Sequence, residues 1–238
     1  MQSIVIENHE LPYEIDEEIK TLRTNLQFSG ADKKVIMITS CVGDEGKSTQ
    51  SLRLSHSLAA LGKTVLLIDA DLRKSHLKNK IIEGTVDAGL SHYLSGLSSD
   101  IIYSTNIPCM YMIFAGQVPP NPSELLSGQK FSELIQDARE RFDYIIIDTP
   151  PLGMVVDAAV IAPHCDGAIL AIQAGEIPRR MAQDVVEKLK TTQVAILGAV
   201  LTQVGKNDSK HTYSRYYGRK YGKYSRYSKK YYKYEQYK

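Results

Sequence analysis

A chain of 238 residues, 43% hydrophobic and 24% charged, has ordinary soluble composition and is long enough for one α/β core of roughly 200 residues with an appendage. No apolar run approaches the roughly 18 residues that cross a bilayer, and the opening MQSIVIENHELPYEIDEE lacks the basic-then-apolar pattern of a signal peptide, so retention in the cytoplasm is expected. The net charge of +2 conceals two regions, because residues 206–238 carry 11 Lys and Arg against 2 Asp and Glu, or +9, while residues 1–205 carry 18 against 25, or −7.

In chain order, residues 16–28 place Ile19, Leu22 and Leu26 at helical spacing with acids in the first turn, where the helix dipole favours them. Six short apolar runs rich in β-branched residues follow: VIMITS (35–40), VLLIDA (65–70), YMIFA (111–115), YIIIDT (144–149), AILAIQ (168–173) and VAILGAVL (194–201). They predict buried strands. Helical stretches at 47–61, 123–141, 156–163 and 178–190 alternate with them, which predicts an α/β fold with a mostly parallel sheet flanked by helices on both faces. The three cysteines, Cys41, Cys109 and Cys165, show no CxxC spacing, against both a disulfide framework and a zinc site. Their expected role is as buried thiols.

The last segment, 206–238, contains no Leu, Ile, Val, Met or Phe, so it lacks the aliphatic surface that offsets the entropy of ordering, and it is expected to be a disordered tail beside a 1–205 domain. It holds ten of the fifteen tyrosines: Tyr213, Tyr216, Tyr217, Tyr221, Tyr224, Tyr227, Tyr231, Tyr232, Tyr234 and Tyr237. Interleaved basic and aromatic residues suit single-stranded nucleic acid, an anionic leaflet or a helix face, although Gly218 and Gly222 weaken the helix. Accessible phosphoacceptors are a fourth reading.

SCVGDEGKST (40–49) follows a predicted strand and opens a predicted helix, the context of a phosphate-binding loop. Gly43, Asp44, Glu45, Gly46, Lys47, Ser48 and Thr49 are the expected nucleotide-binding residues: glycines admit the phosphates to the backbone, the helix start offers N–H groups, Lys47 reaches the terminal phosphates and Ser48 ligates Mg²⁺. Cys41 stands where GxxxxGK[ST] has its first glycine. LLIDADLR (66–73) carries Asp69 and Asp71 to the end of one strand, on the same side by the period of two, with Arg73 beyond. YIIIDTPP (144–151) delivers Asp148 to the end of another. Open parallel sheets bind ligands at that edge. Phosphoryl transfer needs a metal, a cation and a carboxylate to take the acceptor proton, and Lys47, Ser48, Asp69, Asp71 and Asp148 supply that set, with ATP and Mg²⁺ as cofactors.

These motifs, with PPNPSELL (119–126) and the tyrosine-rich C-terminus, resemble the bacterial protein-tyrosine kinases of capsular and exopolysaccharide export, P-loop relatives of septum-site and plasmid-partition ATPases, along essentially the whole chain. The resemblance implies Asp69 as general base that also belongs to the metal set with Ser48 and Asp148, and Asp71 as its assistant. It also implies autophosphorylation of the tail in trans within a ring, held through a Glu-x-x-Arg-x-x-Arg pattern that reads Glu17, Lys20 and Arg23 here. Lys20 departs from the pattern, since a lysine keeps the charge but loses the planar fork. Implied partners are a membrane-spanning activator, which would hold the chain at the inner face of the membrane, and a tyrosine phosphatase, with no stable nucleic-acid partner. Val42 sits where the ATPase relatives often carry a second lysine, which favours the kinase branch. The competing reading is a partition- or septum-type switch ATPase whose basic tail binds nucleic acid or membrane.

Overall fold

The computed structural model describes residues 2–8 and 10–204. The expected tail, 206–238, with its ten tyrosines lies outside the described residues. Among the described residues no helix is long and apolar enough to cross a membrane.

In chain order the elements are β1 (Gln2–Ser3), β2 (Val5–Ile6), α1 (Tyr13–Phe28), β3 (Val35–Ser40), α2 (Lys47–Ala59), β4 (Val65–Asp69), β5 (Ile81–Glu83), α3 (Leu90–Leu94), β6 (Tyr103–Ser104) and β7 (Met110–Ile113). Then come α4 (Pro122–Ser127), α5 (Gln129–Arg141), β8 (Tyr144–Asp148), α6 (Asp157–Ile161), β9 (Gly167–Gln173), α7 (Arg179–Thr191) and β10 (Ile196–Thr202). All six predicted strands form. They join β1 and β6 in an eight-stranded sheet of order β1-β6-β7-β4-β8-β3-β9-β10, parallel throughout except between β6 and β7. A separate antiparallel pair joins β2 to β5.

Side chains alternate across the central strands and divide the core in two. Met37, Leu66, Ile68, Ile145, Ile147 and Leu170 point to the face covered by α3 to α7, whereas Ile36, Ile38, Leu67, Ile146 and Ile169 point to the face covered by α1 and α2. Both faces are buried under helices, which is why these strands read as continuous apolar runs. Phe131 of α5 is fully buried on the first face and meets His164 edge-on at 5.4 Å. Phe131→Ala is expected to cost about 3–5 kcal/mol, and thermal unfolding should show a Tm lower by about 2–4 °C for each kcal/mol.

Several predicted boundaries move. The first helix starts at Tyr13 rather than residue 16, since Pro12 at its start needs no N–H of its own and its carbonyl accepts the first bond, from Asp16 N at 3.0 Å. The predicted helix at 123–141 is two helices, broken where Gly128 turns extended (ψ 158°). Its first part is capped at Asn121 with Pro122 in the first turn, not started by Ser123.

Candidate active site

The loop between β3 and α2 is built as a phosphate cradle. Gly46, at φ +80°, occupies the left-handed region that favours glycine and turns the chain into α2. Asp44 is also left-handed at φ +65°, a conformation Asp tolerates. The loop is tied to the neighbouring strands from below. Buried Glu45 accepts hydrogen bonds from Val42 N and from Gln173 N (3.0 Å), Thr202 Oγ1 donates to Glu45 O (2.7 Å), and Gln203 Nε2 donates to Asp44 O (3.0 Å). Burial pushes the Glu45 carboxyl up, against the hydrogen bonds it accepts. Its side chain therefore shapes the loop, leaving the backbone for phosphates.

Cys41 is fully buried, its thiol pushed up to about 12 by burial and by Glu45. This fits the expected inert thiol, whereas Cys109 and Cys165 are only partly buried. A β-carbon on Gly153 would lie 2.0 Å from Cys41 O, so the loop rests directly on the turn after β8.

The sheet register brings the acids together. Asp69 of β4 stands opposite Asp148 of β8, and parallel neighbours in register share a face. Asp71 follows two residues on, and Lys47, from the first turn of α2, extends to it (Nζ to Oδ2 3.5 Å) with both side chains buried. Asp69 is fully buried too; it accepts from Asp71 N (3.2 Å) and from the Ser75 hydroxyl, so both its oxygens are engaged. Asp148 differs. The Ser51 hydroxyl lies 3.3 Å from its Oδ1, whereas its buried Oδ2 has no hydrogen-bond partner.

Burial dominates the proton affinities. Asp148 is raised from the ordinary 3.8 to about 6 by burial, with Lys47 and the hydroxyls of Ser48 and Ser51 opposing the rise. Asp69 is raised well above the carboxylate range by burial and by the Asp148 charge. Lys47 is raised although burial alone would lower it, because Asp148, Asp71 and Asp69 surround it. One cation thus faces three acids. An unpartnered carboxylate oxygen beside Ser48 suits a hard divalent cation such as Mg²⁺, which takes one or two protein oxygens and completes its shell with phosphate and water. Asp69, which the sequence also places in the metal set, accepts one hydrogen bond on each oxygen, which leaves each oxygen a further lone pair to offer.

The structure adds residues that the motifs did not single out. Ser75 holds Asp69, Ser51 holds Asp148, and Asp157 at the start of α6 receives the Arg73 guanidinium through Nε (2.6 Å) and Nη2 (3.1 Å). Ser123 of the PPNPSELL segment joins that pair, accepting from Arg73 Nη2 (3.1 Å) and donating to Asp157. On α1, Lys20 pairs with Asp16 and Glu17 (2.8 Å each), and Arg23 reaches across to α2, donating to Ser57 O (3.0 Å) and Ser57 Oγ (3.1 Å). The expected ring residues thus have partners inside the chain.

A strand–glycine loop–helix cradle with Lys47 and strand-end carboxylates defines a P-loop ATPase-type phosphate site. Residues 33–196 match the AAA domain family. The tyrosine-protein kinase CpsD of Streptococcus agalactiae is 44% identical over 214 residues, 86% of this chain and 90% of that protein. The kinase domain of the Escherichia coli tyrosine kinase ETK superposes with a TM-score of 0.78 at 31% identity, covering 87% of this chain and 85% of that one. The septum site-determining protein MinD from Pyrococcus horikoshii, solved with Mg-ADP, gives 0.63 at 27% identity over 74% and 72%. The chain belongs to the bacterial tyrosine-protein kinases, a branch of the P-loop fold shared with the septum ATPases.

Proposed function

We propose that this chain, as a 1–205 kinase domain with a 206–238 substrate tail, transfers the γ-phosphoryl group of ATP to tail tyrosines of a neighbouring copy. The observation that carries the reading is Lys47 buried against Asp71 at the sheet edge, with Asp69 and Asp148 in register beside it. Lys47 and the loop N–H groups hold the phosphates. The tyrosine oxygen attacks phosphorus as the bond to ADP breaks, and its proton passes to Asp69, whose raised proton affinity suits a base working near neutrality. Asp71 orients Lys47. Ser48 and Asp148, with Asp69 beside them, would hold Mg²⁺, which when bound would neutralise charge on the phosphates.

The −7 body and +9 tail favour the encounter of one copy with the next. Each phosphate adds roughly −1.5 to −2 charges, so about five or six would cancel the tail's charge and weaken that attraction. Assembly through Glu17, Lys20 and Arg23 would trade their contacts within the chain for contacts between copies. By kinship, a membrane-spanning activator recruits the kinase to the inner face of the membrane, a phosphatase resets the tail, and the cycle controls capsular or exopolysaccharide polymerisation and export.

The test is a mixing experiment. A Lys47→Met chain with its tail intact is incubated with Mg-ATP and an active chain whose ten tail tyrosines are phenylalanine, and phosphotyrosine is mapped by mass spectrometry. Phosphate on the tail of the Lys47→Met chain establishes transfer in trans. ATP hydrolysis without tail phosphate, in the mixture and in the unaltered chain, would return the protein to the switch-ATPase reading.

A further inference from the structure

The kinase reading leaves open where the acceptor tyrosine approaches and what shapes that side of the site. Transfer places the attacking and leaving oxygens roughly in line through phosphorus. The leaving side is the β3–α2 loop, so the acceptor comes from across the carboxylates. Strand order there runs β3, β8, β4, β7, so the turns after β8, β4 and β7 line up along one side of the phosphate cradle, the first of them against it and the others successively further away. Those three turns are joined by one buried polar knot. Arg73 lies in the turn after β4, Asp157 follows the turn after β8, and Ser123 follows the turn after β7. The guanidinium forks onto both oxygens of Asp157, which is 0% exposed, while Arg73 itself is 12% exposed. Ser123 closes the triangle.

We propose that Arg73, Asp157 and Ser123 are positioning residues for the acceptor tyrosine, locking the three turns into one wall on the acceptor side. None of them belongs to the phosphate loop. Their action passes through the turn that carries Arg73: the Ser75 hydroxyl, two residues on, donates to Asp69, so the turn held by the knot aims the base. A planar fork fits because two separate nitrogens, Nε and Nη2, meet the two carboxylate oxygens side by side while Nη2 also reaches the hydroxyl, a geometry that the single nitrogen of an ammonium does not reproduce. The PPNPSELL segment then has a chemical role, to bring Ser123 to this knot.

The test rests on the kinase reading and is separable from it. Ser123→Ala and the pair Arg73→Met with Asp157→Leu are made in the full chain; the pair removes the ion pair without leaving a buried charge alone. Three quantities are measured: Tm, affinity for a fluorescent ATP analogue with Mg²⁺, and transfer to the tail of the Lys47→Met chain. The expected result is nucleotide affinity within about twofold of the parent, with transfer reduced by about tenfold or more even where Tm is recovered, because small misplacement of reacting groups is costly. Arg73→Lys should not restore transfer. Transfer that returns with Tm would show that the knot serves folding alone, and an equal loss of nucleotide affinity would place it on the phosphate side; either overturns the proposal. Absence of transfer in the unaltered chain would instead strike at the kinase reading.

Discussion

Asp69→Asn is expected to make the nucleotide-free protein more stable while lowering tail phosphorylation by about 10²–10⁴-fold, the usual contribution of a positioned general base. The loss follows from removing the proton acceptor. The gain follows from charge. Asp69 and Asp148 are buried side by side, and the proton affinity of each is raised in the folded chain. A carboxyl whose folded value lies above its unfolded value contributes stability in acid and loses it as pH rises through the folded value. For Asp148 the window runs from 3.8 to about 6, and Asp69 extends it upward. The amide that this substitution puts in place of the carboxylate can still accept from Asp71 N and can donate to Ser75, so the replacement keeps the local bonds and removes one buried charge. Tm of the variant should exceed that of the parent at pH 8 by about 2–4 °C per kcal/mol of repulsion relieved, and the difference should shrink as pH falls, because the raised proton affinity of Asp69 lets it take up a proton in acid. Equal Tm values at pH 8 would mean that the cluster carries no strain. In the parent, kcat/KM for Mg-ATP should fall as pH drops, first as the base Asp69 takes up its proton and then further through about 6, because a protonated Asp148 offers its unpartnered oxygen less well to the metal.

This trade between stability and activity is only partly legible in the residues. The loop, its lysine and the three aspartates announce themselves because phosphate chemistry needs them at strand ends, and strands buried on both faces read as apolar runs bounded by turns. What periodicity does not carry is register. That Asp69 faces Asp148, rather than a residue two places away, is settled by how β4 pairs with β8, a long-range fact of the sheet. Ser51, Ser75 and Asp157 escape a sequence reading for the same reason: each is an ordinary polar residue until the fold sets it against a partner. Asp157 lies 84 positions from Arg73. A weak signal exists for Ser51, four residues after Lys47 and thus on the same face of α2. The short strands β1, β2, β5 and β6, of two or three residues, are too brief for any pattern. The break at Gly128 is visible as a glycine but is outweighed by the helical residues on either side.

Lys47→Met should have the opposite sign in stability and the same sign in activity. The side chain is 4% exposed and is the cation against which Asp71, Asp69 and Asp148 are balanced. Methionine matches its length without the charge, so activity should fall by about 10³-fold, the scale of losing one preorganised donor to a charged transition state. The nucleotide-free fold should lose stability as well, because removing one partner of a buried ion pair costs about 3–5 kcal/mol when the other stays charged. The acids can escape that cost by taking up protons. The deficit in Tm should therefore be largest at pH 8 and should narrow toward pH 5, which distinguishes lost charge balance from a packing defect that is indifferent to pH. Combining Lys47→Met with Asp69→Asn supplies the cross-check. The second change removes one of the charges the first left unbalanced, so the double variant should be more stable than Lys47→Met alone at pH 8 yet remain unable to phosphorylate the tail. If the two effects on Tm were simply additive, the lysine and the aspartate would not be coupled, and the buried cluster could not be the device that sets the proton affinity of the base.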